Sequence, residues 1–310
     1  MPTDYVLFVH GVKTHEKPEF ERLCNILLNR IRNSISNQSR VVKPIYFFWG
    51  DLNLAAQREL VTGLQASPKW NDFWFRDFRT EQILEFVGDA ALYLSRHVGT
   101  QVVQRFKDEA FSVLKGANTS DRLHLITHSW GTVILFDILF ARRWEDQNLN
   151  PDVRQSVQEL RNILFGLDPN PLSGIPLASI HTMGSPLALF SLLNISGNVN
   201  GVSTHDLTDQ LSNFLENLYK FRKQKRVPWR NFAHPGDPIA YPLEGLMRML
   251  LDGSTNYVDI QDVITDKGNI FNRPFSQKLI PLFWGGEAHG SYWDNPLVGK
   301  TISEVIQAAI

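Results

Sequence analysis

Short apolar runs rich in β-branched and aromatic residues alternate with longer amphipathic stretches along this chain, and that alternation predicts an α/β fold: a mostly parallel central sheet flanked by helices. Two further observations agree. With 310 residues, 43% of them hydrophobic, the chain can bury both faces of a sheet within one large domain, 1–310. In RLHLITHSWGTVILFDILF (122–140) a strand pattern stops and a helical pattern starts at His128, Ser129 and Trp130, which puts polar residues at a strand-to-helix junction.

Taken in order, the first strand is read at 5–9, followed by an amphipathic helix at 18–36 that carries the single cysteine, Cys24, as a small buried residue. VVKPIYFFWGD (41–51) gives the second strand. The mostly helical stretch 54–115 is far longer than one crossover requires and is read as a helical insertion that caps the site. Its aromatic cluster, Trp70, Phe73, Trp74, Phe75 and Phe78, is either an apolar face over an acyl pocket or the core of the insertion. The strand 122–127 and its helix come next, then a polar, proline-containing insert at 142–176 and a strand, turn and helix start in LASIHTMGSPLALF. After the segment 194–226, PWRNFAHPGDPIAYPL holds a strand ending near Phe232 and a loop around Asp237. The last strand is read at 257–264 and a closing helix at 295–310.

Composition excludes several classes of function. Lys plus Arg (31) nearly balance Asp plus Glu (32), so no global basic field is present to hold nucleic acid. No window reaches the roughly 18 apolar residues of a membrane span, and the N-terminus lacks a leader pattern, which reads as a soluble cytoplasmic protein, with a peripheral membrane contact left open. The histidines lack metal-ligand spacing and no phosphate-cradling glycine loop follows a strand, so neither metal nor cofactor is expected. The basic run YKFRKQKRVPWR, with Arg222, Lys223, Lys225, Arg226 and Arg230, reads as a solvated helix end, with a headgroup or acidic-partner contact as the lesser reading.

The junction at Ser129 has a chemical meaning. A serine on a tight strand-to-helix turn exposes its hydroxyl above the sheet, and the helix N-terminus behind it favours developing negative charge. Gly131 supplies the small residue two positions on, but Thr127 stands where G-x-S-x-G has its first glycine. Serine needs a base, an orienting acid and oxyanion donors. LFVHGV ends the first strand with His10 and Gly11, which lets a backbone amide approach a reacting carbonyl; Val12 and Trp130 are the expected amide donors. Asp237, in a Gly and Pro turn past a strand, is the candidate acid, and His289, in a glycine-flanked loop, the candidate base. The order Ser129, Asp237, His289 is the one this topology produces. His128 is excluded as base, His124 and His181 read as core histidines, and His205 and His234 are the rivals of His289. Asp206 and Asp209 read as solvated, Asp259 and Asp262 alternate in the last strand, and Asp266 is the alternative acid.

On VHGV, THSWG, MGSP, GDP and AHGSYW, in that order on those elements, the chain resembles a lipase or serine esterase of the α/β-hydrolase superfamily, over nearly its whole length and beginning at that superfamily's third strand. The resemblance implies an α/β-hydrolase fold and a site floor lined by Gly184 and Ser185; His10, Gly11 and His128 are grouped with them as lining the substrate site. It implies hydrolysis of a carboxylic ester, small or lipid, with a hydrophobic acyl group, through an acyl-enzyme. A thioesterase, amidase or acyltransferase would use the same residues, and an idle scaffold binding a lipid or protein is the rival. The 52 positions between Asp237 and His289 depart from the pattern and imply an insertion around 246–283.

Overall fold

The computed structural model describes residues 2–12, 14–35, 39–77, 79–80, 84–94, 96–190, 207–246, 254–266 and 287–308. Six strands form one all-parallel sheet: β1 (Thr3–Val9), β2 (Val41–Phe47), β3 (Arg122–His128), β4 (Leu177–Met183), β5 (Val227–Ala233) and β6 (Val258–Ile264). Each predicted strand is present with ends moved by a few residues. The largest change is in the second, which leaves the sheet after Phe47 so that Phe48–Asp51 can turn over the neighbouring strand end.

The sheet order is β2-β1-β3-β4-β5-β6. From β1 the chain steps outward to β2, then returns past β1 to β3 and continues outward on the other side. Right-handed crossovers in opposite directions send the helices to opposite faces. One face carries α1 (Lys17–Ser34) and the closing helix α8 (Pro296–Ala308), whose Phe20, Cys24, Leu27, Ile302 and Ile306 pack with Val6, Phe8, Ile126 and Met183 of the strands. The other carries α4 (Arg96–Phe106), α5 (Trp130–Phe140), α6 (Pro151–Asn162) and α7 (Thr208–Phe221) over Leu7, Val9, Phe47, Leu125 and Trp229. Helix α5 is buried from Gly131 to Phe140, so its sequence is apolar on every side instead of striped.

The long stretch before β3 divides differently from the reading of 54–115 as one insertion. Its last part, α4, belongs to the helical layer on the sheet: Val98, Val102, Val103 and Phe106 join the main core. Among the described residues, α2 (Leu54–Gln65), the single turn Trp70–Asp72 and α3 (Glu85–Leu94) lie between β2 and α4. Tyr93 of α3 is tied to α5 through its hydroxyl, which donates to Asp137 Oδ2 at 2.6 Å. Both readings of the aromatic cluster are corrected for Phe73, Trp74 and Phe75; Trp70 is half-buried and stacks on Phe73. Trp74 is 79% exposed, Phe75 73% and Phe73 47%, so they are neither core nor pocket wall. The chain bulges outward there: Phe75 takes φ 57°, and Arg79 donates to the Trp74 carbonyl at 3.0 Å while lying over the Phe73 ring. Phe78 falls outside the described residues. Among the described residues no helix is long and apolar enough to cross a membrane.

Candidate active site

The reversal of strand order sets the C-terminal ends of β1 and β3 side by side, where ligand crevices of open α/β sheets form. β1 is followed by His10–Gly11–Val12 and β3 by Ser129. Ser129 sits at φ 54°, ψ −133°, a region that non-glycine residues seldom occupy, which is the strained elbow the junction predicts. Its amide donates to the Met183 carbonyl at 2.9 Å and its carbonyl accepts from Thr132 at 3.1 Å, fixing it between β4 and the first turn of α5. Two glycines let the loops interlock. A Cβ on Gly131 would lie 2.2 Å from the His10 carbonyl oxygen, and one on Gly11 2.3 Å from the Ser129 Cβ. Thr127 fits where a glycine is usual because its hydroxyl turns to the Thr132 hydroxyl, 2.8 Å away.

His10 shapes the loop from behind. Its Nε2 accepts the Trp49 amide at 2.9 Å, so its Nδ1 carries the proton and donates to the Gly11 carbonyl at 2.6 Å. The Trp49 indole N–H donates to the His10 carbonyl at 3.0 Å, and the two rings stack with centroids 5.2 Å apart. Complete burial drives the His10 pKa down to about 3, so the ring is a neutral strut.

Asp237 lies in the turn after β5, held by its own amide donating to the His234 carbonyl at 3.0 Å. Its Oδ1 accepts from the Ile239 amide at 3.1 Å; its Oδ2 accepts from His289 Nδ1 at 2.9 Å and the Tyr292 hydroxyl at 2.7 Å. Burial alone would raise this carboxyl's pKa, but the hydrogen bonds from His289 and Tyr292, and the His289 charge, outweigh it and hold Asp237 below the ordinary carboxylate value. Burial and the neighbouring carboxylate push the Tyr292 phenol far up, so it remains a donor. Gly184, at φ +57°, packs beneath the pair: a Cβ there would sit 2.8 Å from Asp237 Oδ2 and 3.0 Å from His289 Nδ1.

His128 holds the loop of the base. Its Nε2 donates to the His289 carbonyl at 2.7 Å, and the rings lie 4.5 Å apart. Burial first, then repulsion from His289, lowers its pKa to about 3, so it acts as a neutral donor. Oγ of Ser129 and Nε2 of His289 have neither solvent nor a hydrogen-bond partner among the described residues. A histidine whose Nδ1–H is fixed on a carboxylate presents an unprotonated Nε2, the form a base requires.

Asp237 and His289 are joined by their hydrogen bond, Gly11 packs on Ser129, and the ring of His128, next to Ser129 in the chain, lies 4.5 Å from the His289 ring. His10, His128, Gly184 and Ser185 are buried; Ser185 Oγ accepts the Leu187 amide at 3.2 Å. The rivals separate from the site. His234 faces Asp266 at 3.6 Å, and Asp266 is exposed. Asp259 pairs with Arg230, Asp209 with Arg142, and Asp262 accepts from Asn231 and the Leu243 and Glu244 amides. His124 and His181 are core residues bridged by the Ser179 hydroxyl. His205 and Asp206, and positions 247–253 and 267–283 of the 246–283 insertion, lie outside the described residues, while 258–264 of it form β6. Sequence reasoning gave Trp49 and Tyr292 no role; the signal for Tyr292 was its position three residues after His289, in AHGSYW, and for Trp49 its place in WGD at the strand end that lies at the same sheet edge as Val12 and Ser129. Among the described residues no group of three or more His, Cys, Asp or Glu is arranged to hold a metal.

The serine elbow after β3, the acid turn after β5 and the histidine loop after β6 follow one another as in the α/β-hydrolase fold. No family model matches the chain. In sequence it is similar to phospholipase DDHD1 of Mus musculus, 26% identical over 157 residues, covering 41% of this chain and 26% of that protein, so the match spans about a quarter of the relative's length. In structure it is similar to a metagenomic carboxyl esterase (TM-score 0.33, 10% identity, 99% of this chain and 77% of that one). It is also similar to a monoacylglycerol lipase of Paleococcus ferrophilus (TM-score 0.31, 12% identity, 100% and 97%) and to an acetyl xylan esterase (TM-score 0.28, 11% identity, 97% and 99%).

Proposed function

We propose that this chain is a serine hydrolase that cleaves a carboxylic ester with a hydrophobic acyl group through an acyl-enzyme. The observation that carries the reading is that Ser129 Oγ and His289 Nε2 are buried without a hydrogen-bond partner among the described residues while His289 Nδ1 is held on Asp237. In this mechanism Ser129 Oγ attacks the ester carbonyl and its proton passes to His289 Nε2. Asp237, ionised, holds the ring and stabilises the imidazolium. The amides of Val12 and Trp130 receive the tetrahedral oxyanion; the second stands at the N-terminus of α5, where the helix dipole adds to it. The imidazolium then protonates the leaving alcohol, and water, deprotonated by the same ring, releases the acid. A mostly apolar recess of about 490 Å³ between His15 and the Leu54, Gln57, Arg58 and Val61 face of α2 is of the size that holds a hydrophobic group, and the similarity to a phospholipase supports a lipid-like ester.

A fluorophosphonate probe and a panel of esters of rising acyl length test the reading. The probe should label Ser129, and Ser129→Ala should lose both label and hydrolysis, by about a thousandfold or more in kcat, with an unchanged melting curve. Hydrolysis near wild type in a folded Ser129→Ala protein would overturn it, and a wild-type chain inert to probe and esters alike would favour the idle scaffold.

A further inference from the structure

At the opposite edge of the sheet, where the strands begin, a recess of about 410 Å³ opens between the loop before β3, the start of β4 and the turn joining α7 to β5. Arg122, Arg222, Lys223 and Lys225 supply its cations, Phe221 an apolar wall and Ser120 a hydroxyl. The basic run after α7, read from sequence as a solvated helix end, is therefore joined by an arginine 100 positions earlier in the chain. Arg230 of the same run takes no part, being paired with Asp259.

Among the described residues, carboxylates near these four cations are outnumbered by them or paired elsewhere. Asp121 lines the recess, but its Oδ1 accepts the Thr3 amide at 2.8 Å and its Oδ2 the Asn118 amide at 3.1 Å. Asp4, opposite Arg122 across β1 and β3, is paired with Arg40 at 2.7 Å, and Glu216 with Lys220 at 2.7 Å. Arg122 Nη1 and Arg222 Nε are shut off from solvent without a hydrogen-bond partner among the described residues, although a buried charged donor left unpaired is strongly destabilising. Burial lowers the pKa of both arginines. Repulsion from Arg40 adds to this at Arg122, opposed by a smaller attraction to Asp4, and repulsion from Arg122 adds to it at Arg222. The turn that carries the lysines is held in an uncommon shape: Lys223 and Gln224 take φ 54° and 65°, fixed by the Gln224 amide donating to the Tyr219 carbonyl at 2.8 Å and the Lys225 amide to the Arg222 carbonyl at 3.2 Å.

We propose that this recess is a binding site for a phosphate group carrying two or more negative charges, a phosphomonoester or diphosphate, held by Arg122 and Arg222 with Lys223 and Lys225 at its mouth. Guanidinium forks match phosphate oxygens, and a single carboxylate would leave most of the positive charge unanswered. Seven-residue strands, at about 3.3 Å per residue, put the site some 20 Å from Ser129. Its ligand is thus distinct from an ester bound there, and the proposal stands independently of the hydrolase reading.

Calorimetric titration of the full chain with inorganic pyrophosphate at low ionic strength tests it, together with co-sedimentation on phosphatidylcholine vesicles with and without a phosphomonoester lipid. One pyrophosphate should bind per chain and raise Tm. Arg222→Gln, and separately the surface double variant Lys223→Gln/Lys225→Gln, should each weaken binding by about tenfold or more. Arg222→Gln should also raise Tm in pyrophosphate-free buffer, because it removes a like charge, whereas Ser129→Ala should bind as wild type. Vesicle binding displaced by pyrophosphate would assign a lipid headgroup, and pyrophosphate binding without vesicle binding a soluble phosphate; either supports the site. No binding at millimolar pyrophosphate, or binding undiminished in both the arginine and the double lysine variants, would overturn it.

Discussion

The two edges of this sheet differ in what they leave unpaired. At the C-terminal edge the buried atoms without a hydrogen-bond partner among the described residues include a neutral hydroxyl and a ring nitrogen, Ser129 Oγ and His289 Nε2, and Asp237 is bonded by three donors, His10 through both ring nitrogens and His128 to the His289 carbonyl. At the N-terminal edge the unpaired atoms belong to Arg122 and Arg222, whose side chains stay charged. In the proposed mechanism the first pair complete each other when the proton of Ser129 Oγ passes to His289 Nε2. The second would be completed by the phosphate proposed above. The backbones differ in the same sense: glycines at 11, 131 and 184 permit contacts closer than a side chain allows, whereas the basic turn bends at Lys223 and Gln224.

The comparison can be broken most forcefully at Gly184. An alanine there would meet Asp237 Oδ2 at 2.8 Å from a left-handed backbone, so Gly184→Ala should lower kcat for ester hydrolysis by at least about a hundredfold, since a displacement near 1 Å costs that much. Pyrophosphate affinity at the other edge should not change. Wild-type kcat in that variant would show that the tight packing beneath the acid and base does not set their geometry, and a parallel loss of pyrophosphate binding would show that the edges are not independent.

Acid should act through buried histidines, of which the basic recess has none. His10 and His128 fall to about 3 on folding, from an ordinary value near 6.5, and the pKa values of His124 and His181 are lowered as well, all by burial first. Between those values the unfolded chain binds more protons than the folded one. Stability is therefore complete above pH about 6.5 and declines as pH falls toward 3, by up to about 1.4 kcal/mol per pH unit for each such histidine. The lowered pKa of Asp237 adds a loss of the same sign in a more acidic window, below the ordinary carboxylate value. Thermal melts from pH 8 to 4, spanning the histidine reference of about 6.5, check this; a Tm that does not fall below pH 6 would contradict the neutral, strut-like histidines.

The smallest effect should come from Tyr292→Phe. It removes one donor to Asp237 and the acceptor of the His234 amide, leaving the His289 contact in place. A stability loss of about 1–2 kcal/mol and a kcat loss of about tenfold at unchanged KM are expected. An unaltered kcat would make Tyr292 a purely structural hydroxyl and shrink the catalytic frame to Asp237, His289 and Ser129.

Local pattern carried much of this into the sequence. The change of hydrophobic period at Ser129 marks the elbow because a parallel strand and the helix after it must bury apolar faces of different repeat, and the six strands are legible for the same reason. Asp237 and His289 stand in turns whose glycines and prolines leave few alternatives for the backbone. Orientation is different. Periodicity marks the stretch before β3 as largely helical but not which way its loops point, so Trp74 and Phe75 emerge in solvent when the pattern suggested a pocket wall or core.

What the sequence by itself determined is therefore the fold class, the strand order along the chain and the residue types at the elbow, the acid turn and the histidine loop. Each follows from bonds and burial over a few neighbouring residues. Only the tertiary structure decided that His10, His128 and Gly184 are buried around Ser129 and the Asp237–His289 pair, that Tyr292 shares Asp237 with His289, and that Arg122 meets Arg222. Those facts depend on contacts between segments tens to more than a hundred residues apart, whose register is set by packing across the sheet.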